Sequence, residues 1–283
     1  MAAPSINTDA YRLEALLDLF SLKEKTVVIT GLWPDIPALG PSGARGLGLT
    51  FAWGCAELGA NIAALDLSEK PHDDFSLLKD ELGVKAKFYR TDVTNLEMLE
   101  QTFDQVIKDF GRIDHCITAA GIAKEKPFLD QTPADVMSIL NVNVLGTYLT
   151  AQLAAKQMVA QGTPGSILLV SSIGAHCSVP GKTVSAYCAS KGAVLSLCRA
   201  IADELVQYNI RVNTISPGFM LTDMAIRDID KRPNILQELS ANVPMRRVGD
   251  RRDLKGAVAV LLSNASAYTT GSDLIIDGGL VSH

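Results

Sequence analysis

Tyr187 and Lys191 are the two side chains of this sequence whose types and spacing point most directly to chemistry. Residues four positions apart lie on the same face of a helix. A free phenol has a pKa of about 10 and exchanges protons poorly at neutral pH, but a nearby ammonium stabilises the phenolate and lowers that pKa. The pair is therefore a candidate acid/base device for an alcohol or a carbonyl oxygen. Tyr and Lys also occur at this spacing on ordinary helix surfaces, so the interpretation depends on what surrounds them.

A glycine-rich segment near the N-terminus is typical of a dinucleotide site. The apolar, β-branched run 26–30 predicts a buried parallel strand, and Gly31 follows it directly. Gly46, Leu47 and Gly48 then open a stretch whose apolar spacing suits a helix. Glycines between a strand and a helix let the backbone approach a pyrophosphate, which binds the free N–H groups of the helix start.

Asp66 determines the cofactor prediction. It ends the strand-like run 61–65, about 20 residues beyond the glycines, where an acid accepts hydrogen bonds from an adenosine ribose and repels a 2′-phosphate. Leu67 offers no positive charge, whereas Arg45 in the glycine loop is counter-evidence, because an arginine there can pair with a 2′-phosphate. The sequence therefore predicts NAD(H), with NADP(H) as the less favoured cofactor.

Two further motifs complete a known pattern. The apolar run 167–172 ends in two serines, and Pro217-Gly218 follows the strand-like run 210–216. Together with the tyrosine–lysine pair, these motifs resemble the short-chain dehydrogenase/reductase family over nearly the whole chain. The entry 18–23 and the run 54–60 are similar to a fungal branch of that family, which includes sugar and polyol reductases and enzymes of secondary metabolism.

The resemblance implies four catalytic side chains. Tyr187 would exchange the proton with the substrate oxygen, and Lys191 would lower the tyrosine pKa and hold the nicotinamide ribose. Ser172 would hydrogen-bond the reacting oxygen, an interaction that strengthens as charge develops. Asn143 matches the helix asparagine that supports a water relay in the family.

The resemblance also implies a set of cofactor contacts between the glycine loop and the end of the sixth strand. They are Gly31, Arg45, Gly46, Leu47, Gly48, Asp66, Asp92, Val93, Ala120, Gly121, Tyr187, Lys191, Pro217, Gly218 and Thr222. Within that set, Asp92 and Val93 match the pair that contacts adenine, and Thr222 matches the position on the carboxamide side of the nicotinamide.

The chain departs from the family pattern in two places. The family usually has Asn-Asn-Ala-Gly after its fourth strand, whereas this chain has Thr118, Ala119, Ala120 and Gly121. Because both amides that brace the sheet and contact the ribose are gone, we expect altered local stability or cofactor affinity. Residues 32–40 lengthen the glycine loop, and they are expected either to lie over or beside the adenosine-pyrophosphate half of the cofactor or to form a surface loop.

Strands and helices alternate along the chain, which predicts an α/β fold: a doubly wound parallel sheet of the Rossmann type in a single domain. Strands are predicted at 26–30, 61–65, 85–90, 113–118, 165–171, 210–215 and 273–276. Helices are predicted at 45–59, 73–82, 95–109, 133–160, 185–208 and 250–263. Residues 1–21 are expected to be an N-terminal extension and residues 22–283 the Rossmann domain. Residues 217–248 break the alternation and are expected to form a substrate lid.

Composition restricts the class of protein. A chain of 283 residues that is 47% hydrophobic and 20% charged can form one globular domain. A net charge of −5 gives no reason to expect nucleic acid or an anionic membrane as a partner. The N-terminus lacks the features of a signal peptide, so a cytoplasmic protein is expected. The five cysteines show no metal-ligand spacing, which predicts reduced thiols and no metal site.

Two long helices predict a homotetramer or a homodimer, because helices that are apolar on two sides are normally buried on two sides. They are 133–160 and 185–208. Within the second helix, Val194, Leu197, Ile201 and Leu205 are predicted to face the sheet, and Leu195, Cys198 and Ala202 to face a partner.

The sequence favours a nicotinamide-dependent oxidoreductase that interconverts a secondary alcohol and a ketone on a small molecule, such as a polyol or a fungal secondary metabolite. Two alternatives on the same fold stay open. One is a non-redox enzyme in which the nucleotide is structural, and the other is a nucleotide-sensing protein without turnover. The altered segment at Thr118–Gly121 keeps both open, whereas an intact proton donor argues against a pure sensor.

Overall fold

The structure is a computed structural model that describes residues 13–32, 46–221 and 234–282. Two of the predicted cofactor contacts, Arg45 and Thr222, lie outside the described residues, and so does all but the first residue of the inserted loop.

A seven-stranded parallel sheet forms the centre of the described chain. Its strands are β1 (Thr26–Thr30), β2 (Asn61–Asp66), β3 (Ala86–Arg90), β4 (His115–Thr118), β5 (Gly165–Val170), β6 (Ile210–Pro217) and β9 (Asp273–Ile276). They lie in the order β3-β2-β1-β4-β5-β6-β9. β1 is buried at every position, as expected for a central strand of a parallel sheet that is covered on both faces. The predicted doubly wound sheet in a single domain is confirmed.

Helices cover both faces of this sheet. They are α1 (Leu47–Glu57), α2 (Asp73–Leu82), α3 (Leu96–Phe110), α4 (Pro133–Leu140), α5 (Thr147–Gln161), α6 (Ser185–Leu205), α7 (Ile235–Ala241) and α8 (Lys255–Leu262). One apolar core lies between the sheet and α1, α2 and α8, and a second lies between the sheet and α3, α5 and α6. Two short strands, β7 (Met220–Leu221) and β8 (Gly249–Asp250), pair with each other outside the main sheet.

The order of the strands indicates at which end of the sheet a ligand would bind. The chain runs outward from β1 through β2 to β3, and then crosses back to β4 on the other side of β1. Ligands of open α/β sheets bind beyond the carboxyl ends of the strands at this reversal. The ends of β1 and β4, at Thr30 and Thr118, are register partners, so the segments that follow them meet at this point.

The predicted helix 133–160 is continuous in the structure but contains a π-helical turn. A π-helical segment, Asn141–Gly146, separates α4 from α5. π-helical turns are rare and are concentrated at functional sites, because the extra residue redirects the side chains of the turn. By length and composition the continuous stretch Pro133–Gln161 could cross a membrane, but it packs on α3, α6, β4 and β5, as a core helix of an α/β sheet does.

The predicted assignment of faces on α6 is wrong for the three residues expected to face a partner, whereas Val194, Leu197, Ile201 and Leu205 pack on the core as predicted. Leu195, Cys198 and Ala202 are buried, and the last two pack in the core under the sheet. Leu197 and Ile201 remain only partly buried and border a groove between α5 and α6. The apolar positions on the two faces are only about 100° apart on the helix, so spacing alone could not decide which face meets the sheet.

Candidate active site

Backbone segments approach one another closely where β1 and β4 end. Gly31, directly after β1, has φ +72°, and its N–H donates to the Leu65 carbonyl of β2 at 3.0 Å. A Cβ on Gly31 would lie 2.3 Å from the Ala120 nitrogen. Ala120 N–H in turn donates to the Thr30 hydroxyl at 3.3 Å. No residue other than glycine fits at position 31.

The N-terminal end of α1 packs against the backbone of Gly31. Gly46 is the N-cap of α1 and carries no side-chain cap, so the first N–H groups of the helix, from Leu47 onward, face outward from its positive end. A Cβ on Gly48 would lie 2.5 Å from the Gly31 carbonyl oxygen. The described residues therefore form the cradle that a dinucleotide pyrophosphate requires, which is a bare backbone at a helix N-terminus.

Asp66 lies at the end of β2 and is only 4% exposed. Its Oδ1 accepts hydrogen bonds from the backbone N–H of Ser68 at 3.0 Å and from the Ser68 hydroxyl at 2.8 Å. The carboxylate is therefore stabilised within the turn that follows β2, and its charge is partly compensated there.

The predicted adenine-binding pair lies in the loop after β3. Asp92 Oδ1 accepts from the backbone N–H and the hydroxyl of Thr94, at 2.8 and 2.7 Å. Val93 is 7% exposed and packs against the π-helical segment, where a Cβ on Gly146 would lie 2.6 Å from Val93 Cγ2. The loop is thus fixed by Gly146, a contact that the sequence motif did not reveal.

Ser172 follows β5 and caps a short 3-10 turn, Ile173–Ala175. Its Oγ accepts from the Gly174 N–H at 3.1 Å, and its hydroxyl also bonds to the Tyr187 phenol, which lowers the pKa of that phenol. The neighbouring serine has a different role, since the Ser171 hydroxyl donates to the Lys191 carbonyl at 3.1 Å within the protein. The second serine of the pair is therefore the one that faces the tyrosine.

Burial raises the pKa of Tyr187, and the hydrogen bond from Ser172 opposes that rise. The net direction is opposite to the sequence-based expectation of a lowered pKa. Lys191 Nζ lies 5.6 Å from the centre of the tyrosine ring and donates to the Val170 carbonyl at 2.8 Å. Burial lowers the pKa of Lys191 to about 8. The pair is brought together on one face of α6, as the four-residue spacing predicts.

Asn143 is fully buried in the π-helical segment and holds the loop that follows β4. Its Oδ1 accepts from the Ile122 N–H at 2.8 Å, and its Nδ2 donates to the Ile122 carbonyl and to the Ser190 hydroxyl, both at 2.9 Å. A Cβ on Gly121 would lie 3.3 Å from Asn143 Oδ1 and 3.5 Å from Lys191 Nζ. Asparagine, glycine and lysine therefore converge at one point beside the tyrosine.

Ser190 is a member of this network that the sequence analysis did not identify. Its hydroxyl donates to the Tyr187 carbonyl at 2.7 Å while it accepts from Asn143, so it joins α6 to the π-helical segment. The signal was available, because Ser190 directly precedes Lys191 on the helix face that carries the tyrosine.

The segment that departs from the family pattern contains an unsatisfied polar atom. The Thr118 hydroxyl oxygen is buried and has no hydrogen bond partner within the described residues. The amide expected at this position could bond in two directions, whereas a threonine hydroxyl reaches less far. The departure thus leaves a buried polar atom without a partner, while the Ala120 N–H is bonded to Thr30.

The remaining predicted contacts close the site at the end of β6. Gly218 N–H donates to the Ile276 carbonyl at 2.9 Å, and a Cβ on Gly218 would lie 2.7 Å from Asp277 Cα, so Pro217 and Gly218 pack tightly on the C-terminal segment. Within the described ranges, no three His, Cys, Asp or Glu side chains cluster in a way that could hold a metal ion.

Comparison with known proteins agrees with this geometry. Residues 40–281 match the sequence profile of a family described as enoyl-(acyl carrier protein) reductase. The chain is 36% identical to an NADP-dependent mannitol dehydrogenase of Hypocrea jecorina, over 93% of this chain and 95% of that protein. It is 33% identical to a sorbose reductase of Schizosaccharomyces pombe, over 94% of this chain and all of that protein.

A solved structure shows the same fold. The gluconate 5-dehydrogenase of Burkholderia cenocepacia, in complex with NADP and tartrate, superposes with a TM-score of 0.83 at 31% identity, over 95% of this chain and 100% of that chain.

These comparisons contradict the prediction of NAD(H) over NADP(H). The mannitol dehydrogenase is NADP-dependent, and the gluconate 5-dehydrogenase structure contains NADP. The prediction treated Asp66 as a bare charge that would repel a 2′-phosphate. In the structure the carboxylate is almost fully buried and accepts two hydrogen bonds from Ser68, so its acidity alone is a poor guide to the cofactor.

Proposed function

The chain belongs to the short-chain dehydrogenase/reductase family, and we propose that it is an NADP(H)-dependent enzyme that interconverts a polyol and the corresponding ketose. The observation that carries the proposal is the Tyr187 phenol, bonded to Ser172 and lying beside Lys191. The mannitol dehydrogenase and the sorbose reductase act on sugar-derived alcohols and ketones of this kind, which supports the substrate class.

The bound nicotinamide supplies the hydride in ketose reduction and accepts it in polyol oxidation. The side chains of the protein transfer the proton. In the reductive direction Tyr187 donates the phenolic proton to the substrate oxygen as that oxygen gains charge, and the Ser172 hydroxyl donates a hydrogen bond to the same oxygen. In the oxidative direction Tyr187 takes the proton of the alcohol. Each turnover therefore moves one proton through Tyr187 Oη.

Lys191 and Asn143 prepare this transfer. The Lys191 ammonium is buried and bonded to the Val170 carbonyl, so its remaining donors can hold the nicotinamide ribose. Its positive charge favours the phenolate that forms during reduction. Asn143 binds both backbone polar groups of Ile122 and thereby holds the loop after β4, on which the ribose would lie.

The glycine cradle and the ends of β2 and β3 are proposed to hold the rest of the cofactor. Gly31, Gly46 and Gly48 leave room for the pyrophosphate at the start of α1. Arg90 is the register partner of Asp66 in the sheet, and its guanidinium lies 3.0 Å from Glu69. Both side chains of this ion pair are more than half exposed, so a 2′-phosphate could replace Glu69 as the partner of the Arg90 cation, which supports NADP(H).

The segment 217–248 is proposed as the substrate lid. Phe219 and Val243 from this segment pack in a small apolar cluster with Ile173, directly after Ser172, and with Leu280 from the C-terminal end. This contact with the residue that follows Ser172 supports the proposal that the segment lies beside the substrate.

A homotetramer, or a homodimer, is proposed for the assembled enzyme. A groove of about 370 Å³ runs between α5 and α6 and is mainly apolar. Its lining includes Tyr148, Ala151, Ala155, Val159, Leu197, Ile201, Leu205 and Tyr208. At the edge of the sheet, β9 leaves Leu274 and Ile275 more than a third exposed, and unpaired sheet edges are normally covered.

A reducing, cytoplasmic location is also proposed, and the five free cysteines support it.

The proposal is tested by mixing the purified protein with NADPH and a panel of ketoses that includes fructose, sorbose and 5-ketogluconate. Loss of the reduced-nicotinamide absorbance, with a kcat of at least about 1 s⁻¹ on one ketose, is expected. A Tyr187→Phe sample prepared in parallel corrects for contaminating reductases. Tight NADPH binding without turnover on any substrate would favour the nucleotide-sensing alternative. Product formation without net change in nicotinamide would favour the non-redox alternative.

A further inference from the structure

A histidine, a carboxylate and a serine form a separate polar cluster beyond the catalytic serine. His176 Nε2 lies 2.8 Å from Asp273 Oδ2 and 3.3 Å from Ser216 Oγ. The Ser216 hydroxyl donates to both carboxylate oxygens of Asp273, at 2.8 and 3.0 Å. The histidine and aspartate side chains are only 20% and 13% exposed. We assign a proton to Nε2, because carboxylate oxygens accept hydrogen bonds, so the imidazole donates to Asp273.

The cluster is not a hydrolytic triad. Ser216 is fully buried, so its oxygen is inaccessible to a substrate. Its proton is donated to Asp273 rather than to the imidazole. A nucleophilic serine would need the opposite arrangement, in which a basic ring nitrogen accepts the hydroxyl proton.

The histidine instead ends the turn that begins at Ser172. His176 N–H donates to the Ile173 carbonyl at 2.8 Å, and Ala175 N–H donates to the Ser172 carbonyl at 2.9 Å. Gly174 N–H holds Ser172 Oγ itself at 3.1 Å. These bonds make one compact unit of five residues, with the catalytic hydroxyl at its first residue and the imidazole at its last.

The far end of this unit is attached to the sheet by the imidazole. Ser216 belongs to β6 and Asp273 to β9, two strands that pair in the main sheet. The loop after His176 is irregular and contains Gly181 at φ +69°. We propose that His176 and Asp273 are positioning residues, which hold the Ser172 turn against β6 and β9 so that the Ser172 hydroxyl points at the Tyr187 oxygen.

The inference rests on the proposed function for its kinetic consequences, and it predicts a specific loss. His176→Ala should lower kcat for ketose reduction by about 10- to 100-fold, because a small displacement of a catalytic group costs this much. The dissociation constant of NADPH should change less than about twofold, since among the described residues the side chains of His176 and Asp273 bond to each other and to Ser216. His176→Gln keeps an N–H donor near the position of Nε2 and should recover most of the rate. Asp273→Asn should resemble His176→Ala.

The pH dependence of polyol oxidation separates positioning from a general loss of structure. The Ser172 hydroxyl lowers the pKa of Tyr187, so a displaced Ser172 moves the acid-side limb of kcat/KM to higher pH in His176→Ala and Asp273→Asn. The other groups that face the phenol, Lys191 and Cys188, are unchanged in both variants. Asp109→Asn is the matched control, because Asp109 likewise anchors side chains, Lys87 and Tyr89.

The proposal is overturned if His176→Ala and Asp273→Asn match the control in kcat and in the position of the limb, or if His176→Gln is as slow as His176→Ala. Should His176→Ala fail to fold, Asp273→Asn carries the test. A crystal structure of either variant gives a readout without activity: a displaced Ser172 Oγ is expected, and an unmoved one contradicts the proposal. If the unaltered protein turns over no substrate, the proposed function fails, and this crystal structure alone decides the positioning role.

Discussion

The ammonium of Lys191 is held 5.6 Å from the centre of the Tyr187 ring by a hydrogen bond to the Val170 carbonyl. Lys191 is 5% exposed, and its burial lowers its pKa to about 8. The protein therefore keeps a charged group at a place where the unfolded chain would hold that charge more easily. Such a cost is expected at a catalytic position.

Lys191→Met should stabilise the nucleotide-free protein by about 1–2 kcal/mol while removing turnover. The lowered pKa corresponds to roughly 3 kcal/mol of unfavourable burial at neutral pH, and the lost bond to the Val170 carbonyl returns about 1 kcal/mol of that. Urea unfolding at neutral pH measures the difference. Lys108→Met, at an exposed position of α3, should show no such gain. A variant less stable than the unaltered protein would contradict a costly burial of Lys191.

The lowered pKa of Lys191 also predicts how the stability of the protein depends on pH in alkaline solution. The unfolded chain binds the lysine proton up to an ordinary pKa of about 10.5, whereas the folded chain releases it near 8. Because the unfolded state then binds more protons, the stability of the unaltered protein should rise over this window relative to that of Lys191→Met. Parallel stability curves for the two proteins between these pH values would count against a buried charged lysine.

His115 is expected to weaken the fold in acid. It is buried in β4, both of its ring nitrogens lack hydrogen bond partners within the described residues, and burial lowers its pKa to about 4. Asp114 opposes this effect, and Lys25, Arg211 and Arg112 reinforce it. The unfolded histidine binds its proton from about pH 6.5 downward, so stability is lost as the pH falls from about 6.5 towards 4.

His115→Leu should remove that loss. The full effect of the shift is roughly 3 kcal/mol, reached only below the folded pKa. The measurement is the difference in unfolding free energy between variant and parent as a function of pH, which cancels the contribution of the carboxylates. A difference that does not change between about pH 7 and pH 4 would show that His115 is protonated equally in both states.

Arg211 should be a major contributor to stability. Its guanidinium donates to the carbonyls of Leu261, Leu262 and Ser263, and so caps the C-terminal end of α8. A cation at this end also complements the helix dipole. Arg211→Met should lower the unfolding free energy by about 2–4 kcal/mol, because it leaves several buried carbonyls without donors. Arg199→Met, on the exposed side of α6, should cost little, and equal losses in the two variants would contradict the capping role.

Ile201→Glu tests the proposed assembly. A charge in the apolar groove between α5 and α6 should split the homo-oligomer into smaller species, visible as a lower mass in light scattering. Arg199→Glu changes the charge on the opposite side of the same helix and should leave the mass unchanged. A parent protein that is monomeric at micromolar concentration would remove the basis of this prediction.

Much of the fold could be predicted because strands and helices of an α/β sheet have distinct apolar patterns. β1, β9 and α2 begin and end where the sequence predicts, and the other strands in the sheet differ by at most two residues at either end. The π-helical turn within helix 133–160 could not be predicted, because it depends on packing against Val93 and on the buried amide of Asn143.

Part of the candidate active site could likewise be predicted from the sequence, and part could not. Tyr187, Lys191 and Ser172 carry a local signal, and the structure brings them together. The contacts of His176 with Ser216 and Asp273 are tertiary, and no local pattern predicts them. The choice of NAD(H) failed for a different reason: the sequence shows the acid at Asp66, but not that it is buried and bonded to Ser68. The same limit applies to α6, where an apolar stripe could not show which face meets the sheet.

The central claim is that Tyr187 donates the proton, and the most direct test compares Tyr187→Phe with the unaltered enzyme in NADPH-dependent ketose reduction. The change removes one hydroxyl and leaves the ring to pack on α6. We predict that kcat falls by roughly 10²–10⁴-fold, while the dissociation constant of NADPH changes less than about twofold. A variant that retains near-normal kcat with intact NADPH binding would show that the proton comes from another group, and would contradict proton transfer through Tyr187.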